Sequence, residues 1–297
     1  MNTIAVTNHK GGSAKTTTAV SLAATLGERG LRVLVVDMDP QGSATGWLGS
    51  PAGGRIVLDA YLGRADLAGV VLDTSAPGVQ LVPSTPWLVA ADRTQEIDFA
   101  LSVIRAIEYL PPLWDYVLVD CPPSQGYLAI APLSACAHVL VPVEAHVLAL
   151  SGLVSLLETM GEVRQRLNPR LELAAIVACR VSRTRHAREV VDRLNDRYPG
   201  KVLPTVVWEN ISLAEAPSFR LPITRYASSS SGAEDYRAVA REFLERIPVG
   251  APVASTSPGD RAPVASTSPV DRTPVPDRGN HLPRLGGLWH RGQTARR

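Results

Sequence analysis

Short apolar runs alternate with longer amphipathic stretches along residues 1–250. The apolar runs have the length and branched composition of buried strands, and they predict strands at 3–8, 32–39, 79–84, 116–122, 138–144 and 173–181. Apolar residues recur at helical spacing in 17–30, 149–167 and 234–247, and Gly30 predicts the end of the first of these helices. Strands that alternate with helices are typical of a doubly wound α/β domain with a mainly parallel sheet.

This pattern stops near Ile247. The unit APVASTSPGDR at 251–261 is followed directly by APVASTSPVDR at 262–272, an eleven-residue repeat with one change. Pro/Ser/Thr-rich repeats have few groups to bury, so we expect a disordered or partly polyproline-like segment. The sequence therefore divides into a folded domain at 1–248 and an Arg-bearing, disordered tail at 249–297. The stretch around Trp289 with four arginines is either a frayed end or a short attachment point for a partner.

Net charge becomes informative when the chain is divided at Gly250. The whole chain carries +2, whereas residues 251–297 hold seven arginines and no lysine against three aspartates, which gives the tail +4 and the body −2. A slightly acidic body argues against a protein that coats nucleic acid by charge alone. The three cysteines have no paired spacing, and neither an apolar run of about 18 residues nor a signal-peptide layout is visible. We therefore expect a cytoplasmic protein.

The segment HKGGSAKTT at 9–17 links the first predicted strand to the first helix. The usual phosphate loop has Gly, four residues, then Gly-Lys-Ser/Thr, but His9 and Ala14 occupy the two glycine positions. Gly11 and Gly12 can still adopt the left-handed angles of a tight anion nest, and Ser13 adds little bulk. The order strand, small-residue turn, helix therefore predicts a phosphate site.

Two side chains that follow give this loop its chemistry. Lys15 would reach the β- and γ-phosphates, and the Thr16 hydroxyl would bind Mg²⁺. A Gly-rich turn without a ligand is the alternative for the motif alone. Carboxylates at two further strand ends favour the phosphate site, since Asp37 and Asp39 end the second strand and Asp120 ends YVLVD. The carboxyl edge of a parallel sheet is where such side chains meet a metal.

Several longer motifs carry a family resemblance. They are KGGSAKTTT at 10–18, VVDMDPQG at 35–42, VLVDCPPS at 117–124, VLVPVEAHVLALSGL at 139–153 and the segment 203–244. With them the sequence resembles the ParA-type partition ATPases, members of the deviant Walker A group that includes MinD. The likeness covers most of 1–247, and the last two motifs favour ParA over MinD. No carboxy-terminal amphipathic membrane helix of the MinD kind is visible, so no membrane partner is expected.

The resemblance implies a P-loop NTPase-like fold and a slow, partner-stimulated ATPase that uses ATP and Mg²⁺. It implies a homodimer with ATP sandwiched at its interface, a ParB-like centromere-binding or adaptor partner, and nonspecific DNA binding in the ATP state. Lys10 matches the signature lysine that crosses to the partner's nucleotide, Asp39 matches the carboxylate that positions or polarises the attacking water, and Asp120 matches the Walker B residue acting on Mg²⁺. Asp37 would help to hold the switch segment. The implied ATP-binding residues are Lys10, Gly11, Gly12, Ser13, Ala14, Lys15, Thr16, Thr17 and Trp208.

The sequence also departs from the family. Ala14 replaces a glycine, which would slow nucleotide binding or turnover, and His146 replaces a common glutamate. Trp208 stands where a proline is usual, and it would either stack on adenine or fill the core or rim. Glu209 and Ser212 replace arginines, one or more of which bind DNA in relatives.

Other basic residues could still make a DNA-binding face. Arg183 and Arg185 are the preferred contacts because they lie in a predicted loop, although a salt-bridged, solvated helix face is the alternative for the run 179–197. The chain is therefore expected to partition or position plasmid or chromosomal DNA. The alternatives are a nucleotide-dependent scaffold for a protein cargo and a metabolic ATPase.

Overall fold

The computed structural model describes residues 1–50, 54–89, 97–124, 126–146 and 149–250. Its strands form one seven-stranded sheet in the order β3-β4-β2-β5-β1-β6-β7. All neighbours pair in parallel except β3, which runs antiparallel to β4 at one edge. The strands are β1 (Asn2–Val6), β2 (Val33–Asp37), β3 (Leu72–Asp73), β4 (Val79–Val82), β5 (Tyr116–Asp120), β6 (His138–Glu144) and β7 (Glu172–Cys179).

Helices cover both faces of the sheet. They are α1 (Lys15–Glu28), α2 (Ser43–Trp47), α3 (Arg55–Tyr61), α4 (Ile97–Glu108), α5 (Tyr127–Ala135), α6 (Ala149–Arg166), α7 (Arg185–Arg197), α8 (Ile211–Glu215), α9 (Ile223–Tyr226) and α10 (Ser231–Arg246). Alternate strand residues enter two separate core layers. One layer joins Val35 and Leu118 to α1 and α10, and the other joins Val36 and Val119 to α4, α5 and α6. The doubly wound α/β prediction is confirmed.

The predicted strands are all present, but several end earlier than predicted. β1, β2, β4, β5 and β7 each end two residues before the predicted limit, because the next residues leave the ladder to build loops. α1 begins at Lys15, two residues before the periodic stretch 17–30 and at the end of the predicted phosphate loop, and Gly30 takes φ +81 just beyond its end. Arg185 is the first residue of α7, so its predicted place in a loop is wrong, whereas Arg183 does lie in the loop.

The tail predictions, which concern the repeats and Trp289, fall on 251–297 and lie outside the described residues. The last described element, α10, ends at Arg246, close to the predicted end of the periodic pattern. Within the described part of the chain, no helix combines the length and the apolar character needed to cross a bilayer.

Candidate functional site

Three strand ends meet at the carboxyl edge of the sheet. β5 lies between β1 and β2, and its last residue, Asp120, pairs with Val6 of β1 and with Asp37 of β2. The loop that follows β1 therefore starts beside Asp120, and Asp37 lies one strand further along the same edge. This edge is where doubly wound folds bind ligands, because loops from neighbouring strands diverge there.

A buried asparagine fixes the start of the loop. The Asn8 side chain is fully buried, and its Nδ2 donates to the carbonyl of Pro142 at 2.8 Å. Its Oδ1 accepts from the backbone N–H of Lys10 at 3.0 Å. A Cβ added at Gly11 or Gly12 would meet nothing within 4 Å, so the space beside the loop is open. The loop is thus held at its base and accessible along the glycines.

Ala14 gives the loop its final turn into α1. It takes φ 66 and ψ 29, a left-handed conformation that L-residues rarely adopt, and Gly12 takes φ +75. Ala14 is the N-cap residue, and no side chain caps the helix. The first N–H groups of the 14-residue helix α1 therefore remain available to an anion, and the helix dipole favours negative charge at that point.

Two polar side chains of the loop are buried beneath this opening. Lys15 is only 7% exposed, and its Nζ donates to the carbonyl of Lys10 at 3.1 Å. Burial lowers the pKa of Lys15, and the nearby charge of Asp120 opposes that shift. The buried Ser13 hydroxyl has no hydrogen-bond partner among the described residues. Both groups lack the strong partner that a bound anion would supply.

Asp37 and Asp120 are fully buried, but their surroundings differ. Asp37 Oδ2 accepts from the Thr45 backbone N–H at 2.8 Å and from its hydroxyl at 2.6 Å. Burial nevertheless raises the pKa of Asp37 to about 6. Neither oxygen of Asp120 accepts a hydrogen bond from the part of the protein that the structure describes. Burial, followed by the charge of Asp37, raises the pKa of Asp120 well above its usual range, while the nearby Thr16 hydroxyl lowers it.

Asp39 lies beyond the end of β2, where it is half-buried at the same opening. Its Oδ1 accepts from the backbone N–H of Gln41 at 2.9 Å, and its carbonyl accepts from the Ser84 hydroxyl. Asp37 also accepts from the Asp39 N–H at 3.2 Å, so the segment is fixed on both sides. This agrees with the prediction that Asp37 holds the segment after β2.

The opening is a cavity of about 700 Å³, large enough for a nucleotide. Its walls combine the phosphate loop with residues that are far away in sequence. The lining residues include Gly12, Ser13, Ala14, Lys15, Thr16, Thr17, Asp39, Arg180, Trp208, Glu209 and Tyr236. The structure therefore brings Trp208 and most of the predicted loop residues to one cavity. Tyr236 was not predicted from the sequence, and its hydroxyl shares a hydrogen bond of 3.1 Å with Thr18 of α1.

Trp208 forms one wall of this cavity. Its backbone pairs with Val181, and its N–H donates to Asp235 Oδ2 at 3.1 Å. The Arg183 guanidinium lies over the indole, 5.6 Å from the ring centroid, which is cation–π distance. One of the two predicted DNA contacts is thus engaged at the rim of the cavity. The other, Arg185, pairs through Nε with Glu189 Oε1 at 3.0 Å, four residues on in α7.

Lys10 folds back onto its own chain. Its Nζ lies 3.1 Å from Glu144 Oε2, and Arg180 Nη1 lies 3.7 Å from the other oxygen of the same carboxylate. Glu144 was not singled out from the sequence, although it ends a predicted strand at the same sheet edge as Asp37 and Asp120. That shared position is the signal that could have identified it.

No group of three or more His, Cys, Asp or Glu side chains that could hold a metal occurs in the described ranges. The predicted pair for Mg²⁺, Thr16 and Asp120, supplies one hydroxyl and one carboxylate. Mg²⁺ in nucleotide sites takes most of its ligands from phosphate and water, so a sparse protein contribution fits this ion. The buried Asp120 oxygens, which accept no hydrogen bond from the described residues, are available to such an ion or to its bound water.

Comparison with known proteins extends this description. A family described as an AAA domain matches residues 1–173. The chromosome-partitioning ATPase Soj of Thermus thermophilus is 43% identical over 245 residues, which cover 82% of this chain and 96% of Soj. The chromosome partitioning protein ParA of Myxococcus xanthus is 36% identical over 249 residues, with 82% and 88% covered.

Two solved structures share the fold of this chain. A cobyrinic acid a,c-diamide synthase from Mycobacterium smegmatis, with bound ADP and magnesium, has a TM-score of 0.71 and 32% identity over 85% of this chain and 100% of its own. The cell division ATPase MinD of Pyrococcus furiosus has a TM-score of 0.67 at 21% identity, over 82% of this chain and 98% of MinD, and it supports the fold alone. The chain therefore belongs to the ParA-type partition ATPases.

Proposed function

We propose that this ATPase is a dimerising switch that partitions or positions plasmid or chromosomal DNA in the cytoplasm. ATP binding joins two subunits across the nucleotide, the dimer binds DNA nonspecifically, and slow hydrolysis stimulated by a ParB-like or adaptor partner returns the monomers. The observation that carries the proposal is the convergence of Lys15, Ser13 and Asp120, all buried and poorly partnered, beneath one open loop.

The loop fits a triphosphate. Its uncapped helix N-terminus and open glycines offer backbone N–H groups, and the Lys15 Nζ, held by one carbonyl of the loop, can turn to the β- and γ-phosphates. Burial lowers the pKa of this lysine, and a bound polyphosphate would restore the preference for its charged form. Ser13 and Thr17 would complete the phosphate contacts.

Thr16 and Asp120 would hold Mg²⁺. When bound, the ion neutralises negative charge on the phosphates during transfer. The half-buried Asp39 lies on the same cavity and would orient the attacking water, while the carboxylate–threonine contact at Asp37 fixes the segment that carries it. Trp208 would contact the adenine with the part of the indole that Arg183 leaves free.

Lys10 would act on the nucleotide of the partner subunit. A cation supplied from the other subunit stabilises charge on the transferred phosphoryl group and makes dimerisation dependent on ATP. In the single chain this lysine is paired with Glu144, so it must leave that carboxylate to cross.

The enzymatic part of the proposal is tested with purified full-length protein. We expect Mg²⁺-dependent release of phosphate from ATP. Lys15→Ala should abolish it by removing nucleotide binding, and Asp39→Ala should lower kcat by about 10²-fold or more, as loss of transition-state contacts does elsewhere. Equal rates in the variants and the wild type would refute the assigned roles.

A second candidate function is a nucleotide-dependent scaffold that positions a protein cargo without productive DNA binding. Two observations favour it: the Arg183 guanidinium lies over Trp208, and Glu209, which replaces a family arginine, lines the cavity. Arg183 would have to leave the indole to contact a phosphate, and Glu209 adds negative charge nearby. Arg185 stays 94% exposed and is held only by a weak surface pair with Glu189.

Duplex DNA binding separates the two candidates. Binding of nonspecific DNA is measured over a range of salt concentrations, with and without ATP, for the full chain and for residues 1–248. ATP-dependent binding by 1–248 that weakens steeply with salt supports the partition function, because phosphate contacts release counterions. Binding confined to the full chain would assign it to the tail, and absence of binding in both would favour the scaffold. ATP turnover that requires a small carboxylate substrate would instead indicate a metabolic ATPase.

A further inference from the structure

Glu144 is shared by two cations beside the phosphate loop. It is the last residue of β6, and its two oxygens contact different partners: Oε2 lies 3.1 Å from Lys10 Nζ, and Oε1 lies 3.7 Å from Arg180 Nη1. The glutamate and lysine side chains are 24% and 31% exposed, so the pair is only partly screened by water. This three-residue group, Lys10, Glu144 and Arg180, is called the loop-side ion cluster below.

We propose that Glu144 is a positioning residue that holds Lys10 on its own subunit and thereby sets the threshold for ATP-dependent dimerisation. The inference rests on the proposed function, in which Lys10 acts on the partner's nucleotide. In the observed geometry the lysine cannot do so without giving up its ion pair. Lys10 must leave Glu144 in both subunits of each dimer. The free energy of one Lys10–Glu144 pair therefore contributes twice to the dimer dissociation constant.

Arg180 has the opposite effect on this threshold. Its backbone takes φ 49, which is unusual for a residue with a side chain, and its Nη1 donates to the Gly12 carbonyl at 3.5 Å. The guanidinium therefore has a contact beside Glu144 that does not involve Lys10. When Lys10 leaves, Arg180 keeps a positive charge beside the carboxylate, which lowers the cost of an unpaired anion near the phosphates. Arg180 therefore makes the release of Lys10 easier.

Glu144→Gln tests the restraint. A partly exposed ion pair changes an equilibrium by roughly threefold, so two pairs should tighten the dimer about tenfold. The dimer dissociation constant is measured by sedimentation with a nonhydrolysable ATP analogue and Mg²⁺. Glu108→Gln is the matched control, because it removes the carboxylate of a surface pair with Arg170 at 3.9 Å and should leave the constant unchanged.

A separate readout distinguishes positioning from a direct effect on the nucleotide. ADP affinity is measured at protein concentrations where only monomer exists, and it should change much less than the dimer constant. If ADP binding tightens by the same factor as dimerisation, Glu144 acts on the phosphates and the inference is overturned.

Arg180→Gln gives a second, opposite prediction. Lys10 then becomes the sole counter-ion of Glu144, so the dimer should weaken by about threefold or more. The double variant should behave like Glu144→Gln alone, because no carboxylate remains to be neutralised. Additive effects, or equal dimerisation of all variants and the wild type, would contradict the inference. Failure of the wild type to dimerise with ATP would instead count against the proposed function.

Discussion

Ala14 adopts a left-handed backbone conformation that glycine accommodates more easily than alanine. Its φ of 66 completes the turn into α1. The cost is steric, since the left-handed region is about 1 kcal/mol or more less favourable for alanine than for glycine. We therefore interpret Ala14 as a source of local backbone strain and not as a residue that prevents formation of the phosphate loop.

We predict that Ala14→Gly stabilises the nucleotide-free protein by about 0.5–1 kcal/mol, because relief of strain outweighs the greater freedom of glycine in the unfolded chain. Urea unfolding measures the change. Gly12→Ala is the matched control: its φ is +75 and its Cβ would meet nothing within 4 Å, so it should destabilise by about the same amount through backbone strain alone. Destabilisation by Ala14→Gly would contradict this account.

Asp120 destabilises the nucleotide-free protein, because its carboxylate is fully buried beside Asp37 and, among the described residues, only the nearby Thr16 hydroxyl and Lys15 offset that burial. Burial raises its pKa, so the folded protein loses stability as pH rises through that pKa. We predict that Asp120→Asn stabilises the apoprotein by about 1–3 kcal/mol at pH 8 and by less at pH 5.

Thermal unfolding at both pH values, with and without ATP and Mg²⁺, tests this prediction. The variant should lose most of the stabilisation that the wild type gains from ATP with Mg²⁺. This is expected of a residue that destabilises the apoprotein but contributes to ligand binding. A lower melting temperature of the apo variant at pH 8 would show that Asp120 is structurally satisfied.

At the scale of elements, Thr45 ties three segments together. Its hydroxyl donates to Asp37 at the end of β2 and accepts from the Ser84 N–H, at 2.8 Å, in the loop after β4. Its own position near the start of α2 fixes the segment that carries Asp39. A buried network of this kind is stable only when all its members are satisfied.

We predict that Thr45→Val destabilises the protein by about 1–3 kcal/mol, because it leaves Asp37 with fewer donors and the Ser84 N–H without its acceptor. Thr45→Ser keeps the hydroxyl and should cost about 1 kcal/mol or less, the value of one buried methyl group. Urea unfolding of both variants gives the comparison. Equal losses would assign the effect to packing rather than to the hydrogen bonds.

Trp208 belongs to a segment whose place at the site could not be derived from local pattern. We predict that Trp208→Ala weakens ATP binding by about 5- to 150-fold, the range expected for loss of an aromatic contact of about 1–3 kcal/mol with a base. Trp208→Phe should retain most of the affinity. Calorimetric titration with ATP measures both, and unchanged affinity in the alanine variant would assign the indole to the structure of the rim.

The strand-end residues Asp37, Asp39 and Asp120 were predictable because parallel strands bring their carboxyl ends to one edge. Strand limits were predicted too long, since the loop residues after them are buried like strand residues. Glu144 ends a predicted strand at the same edge and could have been identified in the same way.

The pairing of Glu144 with Lys10, and the contact of Tyr236 with Thr18, could not be predicted, because they join segments more than 100 residues apart. The φ of Ala14 was also beyond sequence patterns, since small residues usually avoid that region unless they are glycine.

At the scale of the whole molecule, the sheet edge, the cavity and the loop-side ion cluster form one surface around the proposed nucleotide. A single subunit offers Lys15 in cis but holds Lys10 away from its own cavity on Glu144. The proposed catalytic set is therefore complete only when a second subunit supplies its lysine. Dimerisation and ATP hydrolysis should consequently both depend on Lys10.

Sedimentation velocity of the full-length protein with ATP and Mg²⁺ tests this claim most directly. We predict that ATP converts the wild type from monomer to dimer, that Lys15→Ala abolishes the change by removing nucleotide binding, and that Lys10→Ala abolishes it while nucleotide still binds to the monomer. A wild type that remains monomeric with saturating ATP, or a Lys10→Ala variant that dimerises as the wild type does, would contradict the account.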